Sequence, residues 1–330
     1  MGQWTCYSQG WSRSPRLKWV LWPRNLRARH RGGSRLRWRL AQFQFRPKKA
    51  DVDENLRTIG EALCVASDQG AHLALFPEAC LSGYFLMGGV EEVAIEAEEL
   101  VSTLQAQFVA DRPDENIEVS IGFYERDGGA IYNSALHARL GATKGDAPLG
   151  LLHLHRKIFL PSYGVFDEDR YVTRGRFVEC YDTPLGRMAM LICEDAWHSI
   201  CGTIAALHGA EYILIPSASP ARNLTGDVPE NVTAWNRVTS LLASEHGCFV
   251  ARTDLMGFEG GKGFAGTSTV HGPDGDLVSQ GPLLEEAMVI TDVNSDDITI
   301  TRRRSPLIGS LQETIAVLAS QLMPDALEGS

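Results

Sequence analysis

The chain has 330 residues, 44% of them hydrophobic and 22% charged, and a formal net charge of -10. That composition is that of a folded globular protein rather than a disordered or fibrous one, and no run of about 18 apolar residues offers a transmembrane helix. The charge is uneven: ten Lys and Arg fall within the first 39 residues and every Asp and Glu lies at Asp51 or beyond, so the body of the chain is strongly acidic and a poor partner for nucleic acid.

Residues 1–34 are rich in Arg and Trp without a clean helical or strand period. A basic binding segment and an Arg-rich leader are both compatible with that composition; the expectation adopted is a basic extension that is disordered or non-native, followed by one domain over 35–330. Leu36–Phe45 alternates apolar and polar residues, the mark of a half-buried strand. Asp51-Val-Asp-Glu54 predicts a helix start in which an acid reaches back across three residues. Leu56, Ile59, Leu63 and Ala66 then form one apolar stripe ended by Gly70. His72–Phe76 reads as a buried strand, and residues 90–109 as one helix.

Strands are expected at 117–123, 131–139 and 149–155, then a long loop over 156–175. A strand pair at 177–181 and 187–192 is joined by the turn Asp182-Thr-Pro-Leu-Gly186. There follow a helix from Trp197, a strand at 212–215, a helix at 230–245, and strands at 248–252, 268–271 and 287–292. A last amphipathic helix carries Leu307, Leu311, Ile315, Leu318 and Leu322. Strands and helices interspersed with hairpins indicate an α/β layered fold.

Three segments carry chemistry. Glu78 follows an apolar strand and Pro77, at a strand end where α/β sites gather. Lys157 lies between an apolar strand and Ile158-Phe-Leu160. Cys193 ends the run Met188-Ala-Met-Leu-Ile192 and precedes a predicted helix, whose first N–H groups would lower a thiol pKa and bind an oxyanion. Glu194 and Asp195 would act against that by raising it. Singly, each has an ordinary reading: a solvated acid, a snorkelling lysine, an inert buried cysteine. Together they supply a base, a cation and a nucleophile.

These segments resemble the nitrilase, or carbon–nitrogen hydrolase, superfamily. The resemblance runs from about Arg35 to Thr291 and rests on Pro77-Glu78, on His155-Arg-Lys157-x-x-Leu-Pro161 and on Cys193-Glu-Asp195, with Gly263–Ser268 and Gly272–Gly275 like the family's hairpin region. It implies an α-β-β-α sandwich that pairs into four layers, hence a homodimer or higher homo-oligomer. It also implies Glu78 as general base, Lys157 as oxyanion stabiliser and Cys193 as a nucleophile forming a thioester. The Glu194 N–H would be a second oxyanion donor, and Glu168 would orient the substrate or Lys157; a plain salt bridge from Glu168 to Arg170 or Arg174 is the competing assignment. No metal or organic cofactor is implied.

Cys193–Trp197 and Leu160–Glu168 look like the glutaminase domains of glutamine-dependent NAD synthetases. As the chain reads to Ser330 without an ATP-binding loop, transfer of ammonia to an attached synthetase domain is not expected. By position in the family pattern, Tyr84, Tyr163, Trp197, Ser217 and Ser219 wall the pocket. Aromatic walls with few cations suit a small neutral amide. The expected activity is hydrolysis of a small linear amide or carbamoyl compound. Nitrile hydrolysis and a non-catalytic binding protein on the same fold are the rivals.

His153-x-His155 is a possible metal pair, but no third ligand is evident. Asn223-Leu-Thr225 and Asn231-Val-Thr233 fit glycosylation sequons without a secretory context. Seven scattered cysteines without CxxC spacing argue against a disulfide framework and for a reducing cytoplasm.

Overall fold

The structure, a computed structural model, describes residues 20–22, 36–142, 147–223 and 226–321. The first half of the chain runs β1 (Val20–Trp22), β2 (Arg37–Gln44), α1 (Val52–Asp68), β3 (Leu73–Leu75), α2 (Val90–Val93), α3 (Ala97–Asp111), β4 (Asn116–Asp127), β5 (Ala130–Gly141) and β6 (Gly150–Arg156). The second runs β7 (Cys180–Thr183), β8 (Gly186–Met190), α4 (Ser199–Leu207), β9 (Tyr212–Ser217), α5 (Glu230–His246) and β10 (Phe249–Asp254). It ends with β11 (Met256–Glu259), β12 (Lys262–Ala265), β13 (Thr269–His271), β14 (Leu277–Gln280), β15 (Ala287–Asn294), α6 (Asp296–Arg304) and α7 (Leu307–Ala319).

Two sheets result, in the orders β1-β15-β2-β3-β4-β5-β6 and β14-β13-β10-β9-β8-β7, with β11 and β12 as a separate hairpin. Strand alternation explains why they stack. Ala41, Phe43 and Phe45 pack outward against α1 and α3, while Trp38, Leu40, Leu73 and Leu75 meet Met188, Met190 and Leu214 of the other sheet. Ala189, Leu191, Ile213 and Val250 face away from that interior, against α4 and α5. This is the expected α-β-β-α sandwich.

Three local expectations are corrected. From Leu40 onward β2 is buried on both faces: Gln42 and Gln44 are fully enclosed, and Gln42 donates across the sandwich to the Arg252 carbonyl and Thr253 hydroxyl, both at 2.9 Å. Burying such amides is tolerable because they are bonded. At the start of α1 it is Asp51 that accepts from the Glu54 N–H at 3.2 Å, while the Glu54 carboxylate turns to Arg57. The predicted helix over 90–109 is broken at Ala94–Glu96, because the Ile95 N–H donates to Tyr124 O and its carbonyl accepts from Arg126 N on β4. The β11–β12 hairpin, β14 and α6 were absent from the strand-and-helix pattern read above. Of the expected extension over 1–34, only Val20–Trp22 is described, paired parallel with Ala287–Val289; the rest of it, Thr225 and Leu322 lie outside the described residues.

Candidate active site

Strand ends build the site. Phe76 and Pro77 carry the chain off β3 to Glu78, and the turn continues through Ala79 at φ 48°. It lies flat against Gly122 of β4, where a Cβ would come within 2.5 Å of Pro77 O and 2.6 Å of Glu78 Cα. Lys157 follows β6, its N–H donating to Asn133 O at 2.9 Å and its carbonyl accepting from Gly175 N at 2.7 Å. Cys193 stands where β8 gives way to a 3-10 turn over Cys193–Trp197, in the left-handed region at φ 46°. A non-glycine residue held there is strained, as at many reactive turns.

Glu78, Lys157 and Glu168 come together, and Cys193 lies near enough to feel the charges of Glu78 and Lys157. Lys157 Nζ lies 2.6 Å from Glu78 Oε1 and 2.7 Å from Glu168 Oε2, with all three side chains buried. Glu168 thus engages Lys157, and the alternative salt bridges fall to its neighbours, Asp167 with Arg170 and Asp169 with Arg174. The other Glu78 oxygen accepts from Ala218 N at 2.9 Å. Asn133, fully buried on β5, donates its amide to Glu78 Oε1 at 2.8 Å and to Glu168 Oε1. Sequence reasoning missed Asn133; its only signal was the polar pair Asn133-Ser134 between Ile131-Tyr132 and Ala135-Leu136.

Burial pushes the Glu78 carboxyl up to about 7, against the pull of Lys157 and with a smaller push from Glu168. Burial alone would lower the Lys157 ammonium, but the Glu168 and Glu78 carboxylates outweigh it and hold it well above the usual lysine value. The Cys193 thiol is pushed well up by burial and then by the Glu78 charge, with Lys157, Ser217 and the Ala218 amide pulling down by less. The expected lowering of this thiol is therefore corrected, and so is the cause assigned to its raising. Asp195 faces away, accepting from Ile192 N, Ile158 N and Phe159 N at 3.1, 3.0 and 2.9 Å. The resting site thus pairs a neutral thiol with a charged lysine and a carboxylate able to exchange a proton near neutrality.

The predicted walls divide. Tyr84 is buried, with its hydroxyl on Glu168 Oε2 at 3.2 Å and its ring 5.5 Å from Lys157 Nζ. Ser217 is buried at the end of β9. Tyr163 is half exposed and donates to Glu194 Oε1 at 2.8 Å. Trp197 is 41% exposed and packs edge-on against Trp235. Ser219 is spent on packing, its hydroxyl accepting from Trp235 Nε1 at 2.9 Å and Asn231 Nδ2 at 3.1 Å. A cavity of about 130 Å³ lies beside Glu168, walled by Tyr84, Phe85, Tyr124 and Phe166; Cys193 does not line it. The Arg222 guanidinium, 5.2 Å from the centre of the Phe166 ring, is a nearby cation that was not anticipated. Of the possible metal pair, His155 is bonded to Asp195 at 2.9 Å and His153 stacks on Tyr181.

Comparison with known proteins places the chain in a family. The family profile described as carbon-nitrogen hydrolase matches residues 39–303. The glutamine-dependent NAD(+) synthetase of Thermotoga maritima is 30% identical over 265 residues, 79% of this chain and 43% of that protein, so the chain spans less than half of that relative's length. A nitrilase from Pyrococcus abyssi is 25% identical over 258 residues, 78% of this chain and 89% of its own. Among solved structures, the Nesterenkonia AN1 amidase from the nitrilase superfamily superposes with a TM-score of 0.64 at 25% identity, covering 81% of this chain and 94% of that one. A variant of that amidase carries the acetamide moiety of fluoroacetamide covalently on its active site cysteine. This chain belongs to the carbon–nitrogen hydrolase family, enzymes acting on carbon–nitrogen bonds.

Proposed function

We propose that the chain hydrolyses a small linear amide or carbamoyl compound through a thioester on Cys193, releasing ammonia or an amine. The observation that carries this reading is the buried Lys157 ammonium, held by Glu78 and Glu168 beside a neutral thiol. As Cys193 Sγ attacks the carbonyl carbon, its proton passes to Glu78. The oxygen gathers charge against Lys157 Nζ and the Glu194 N–H. Glu78 returns the proton to the nitrogen as the C–N bond breaks, and ammonia or an amine leaves. Glu78 then takes a proton from water, whose oxygen attacks the thioester; the acid departs and the proton restores the Cys193 thiol. Glu168 and Asn133 keep Lys157 and Glu78 aligned.

A second reading is hydrolysis of the side-chain amide of glutamine. It is favoured by Glu194 and Arg222, groups of opposite charge near Tyr163 and Phe166, and by the likeness to glutamine-dependent synthetases. A cytoplasmic location and a homodimer or higher homo-oligomer belong to the same proposal. The first is supported by the six described cysteines being free, the second by the exposed Leu307, Val317 and Leu318 on α7.

The test is ammonia release from a panel of short amides, carbamoyl amines, glutamine and nitriles, with Cys193→Ala as control. Release from amides that vanishes in the control is expected. Release confined to nitriles, or surviving in the control, would overturn the proposal.

A further inference from the structure

We infer that the buried pair Arg252–Asp254 is a positioning device for the catalytic base, fixing the segment Ser217–Ser219 and through it the Glu78 carboxylate. The inference rests on the proposed role of Glu78.

Asp254 ends β10 directly beside Ser217 of β9. Its Oδ1 accepts from Ser219 N and from Leu255 N, each at 3.0 Å, and Leu255 N also reaches Ser217 O at 3.0 Å. Its Oδ2 accepts from Arg252 Nη1. The Arg252 guanidinium gives a further bond to Thr267 O at 2.8 Å and lies 5.1 Å from the centre of the Trp235 ring. Trp235 Nε1 donates in turn to the Ser219 hydroxyl at 2.9 Å. Arg252, Asp254, Ser219 and Trp235 therefore form a closed ring of contacts. Ala218, clamped between Ser217 and Ser219, is the residue whose N–H reaches Glu78 Oε2.

Stability is a poor reason for such a pair. Arg252 is fully buried and Asp254 nearly so, and Arg252 Nε has no partner among the described residues. The desolvation of two charges commonly cancels their attraction, and apolar residues of like volume often serve the fold as well. What charge-assisted bonds supply is resistance to displacement. The groups facing Glu78 are Lys157 after β6, Asn133 on β5, Glu168 and Tyr84 in loops, Tyr124 on β4, Cys193, and the Ala218 amide. Of the donors to its carboxylate, the Ala218 amide is the one set by the ring. A hydrogen bond to the ionised form favours that form, so loosening it raises the pH at which Glu78 releases its proton.

The experiment follows alkylation of Cys193 by iodoacetamide from pH 5 to pH 9 in the full chain, read by peptide mass spectrometry. Wild type, Glu78→Gln, Trp235→Phe and the double variant Arg252→Met/Asp254→Leu are compared, with thermal unfolding of each. The wild-type rate should step up through the ionisation of Glu78, and Glu78→Gln should abolish the step. In the double variant, compared below its own unfolding temperature, the step should move up by about one pH unit, or its plateau fall about tenfold. Trp235→Phe keeps the ring under Arg252 but breaks the Ser219 bond, and should shift the step the same way even if the double variant does not fold. An unmoved step and plateau in either folded variant would overturn the inference while leaving Glu78 as base. A wild-type profile that Glu78→Gln does not alter would overturn the base and its support together.

Discussion

Asp195, two residues beyond Cys193, is bonded at 2.9 Å to His155, two residues before Lys157. The same carboxylate accepts from the Ile158 and Phe159 amides on the far side of Lys157 and from Ile192 on the near side of Cys193. One buried side chain thus ties the turn bearing the nucleophile to the strand end bearing the cation. Asp195→Ala would leave one buried and two half-buried N–H groups and a buried imidazole without their acceptor. The expected loss of folding stability is at least about 3 kcal/mol, measured by urea unfolding. Asp195→Asn, which keeps one oxygen for Ile158 and Phe159, should lose less. Equal losses would show that the carboxylate charge, rather than its acceptor geometry, holds the two segments.

The site was legible in the sequence where a strand period ran into a residue of the wrong polarity. Glu78 and Cys193 each follow an apolar run and Lys157 follows the end of a strand, and a strand end is where a side chain leaves the sheet interior. What the side chains then touch was not legible. Asn133 meets carboxylates 55 and 35 residues away, and Asp195 reaches 36 to 40 residues back. Arg252 and Asp254, in an alternating stretch, have the pattern of a wet strand edge. The packing of α5, whose Trp235 ring lies 5.1 Å from the Arg252 guanidinium, covers that face of β10, whereas the stacking of the two sheets buries Gln42 against Thr253. The break at Ile95 was hidden for the same reason: backbone pairing with β4 overrode an apolar pattern compatible with helix.

Activity should fall on the acid side of neutrality. Glu78 must be ionised to accept the Cys193 proton, and burial raises its carboxyl to about 7. Below that pH the carboxyl is protonated and cannot act; above it the base is present. With an amide that the enzyme turns over, kcat/KM should drop about tenfold per pH unit below about 7. An acid limb centred near the ordinary glutamate value would show that Glu78 is solvated in solution or is not the base.

Strain at the nucleophile should appear as stability gained when it is removed. Cys193 sits at φ 46°, which disfavours any residue bearing a Cβ. Cys193→Ala and Cys193→Gly both remove the sulfur and should both abolish turnover. The glycine variant should be the more stable of the two by about 1 kcal/mol, because only it occupies that conformation freely. Thermal or denaturant unfolding of the pair measures this. An alanine variant as stable as the glycine one would mean that the turn relaxes once the thiol is gone.

Gly122 tests how finely the Glu78 turn is placed. A methyl group there would meet Pro77 O at 2.5 Å, Glu78 Cα at 2.6 Å and Ala79 N at 2.7 Å. All three are backbone atoms, so no side-chain rotation can relieve the clash. The turn bearing Glu78 must move off β4 instead, taking the carboxylate away from Lys157, Asn133 and the Ala218 amide together. A displacement of the order of an ångström in a catalytic group costs ~10²-fold in rate. Gly122→Ala should therefore lose about that much kcat/KM while circular dichroism reports an intact sandwich, since the sheet registers on both sides of β4 are unaffected. A variant that folds and retains full activity would show that the base tolerates displacement, and with it that the close fit of β3, β4 and the Glu78 turn is a matter of packing alone.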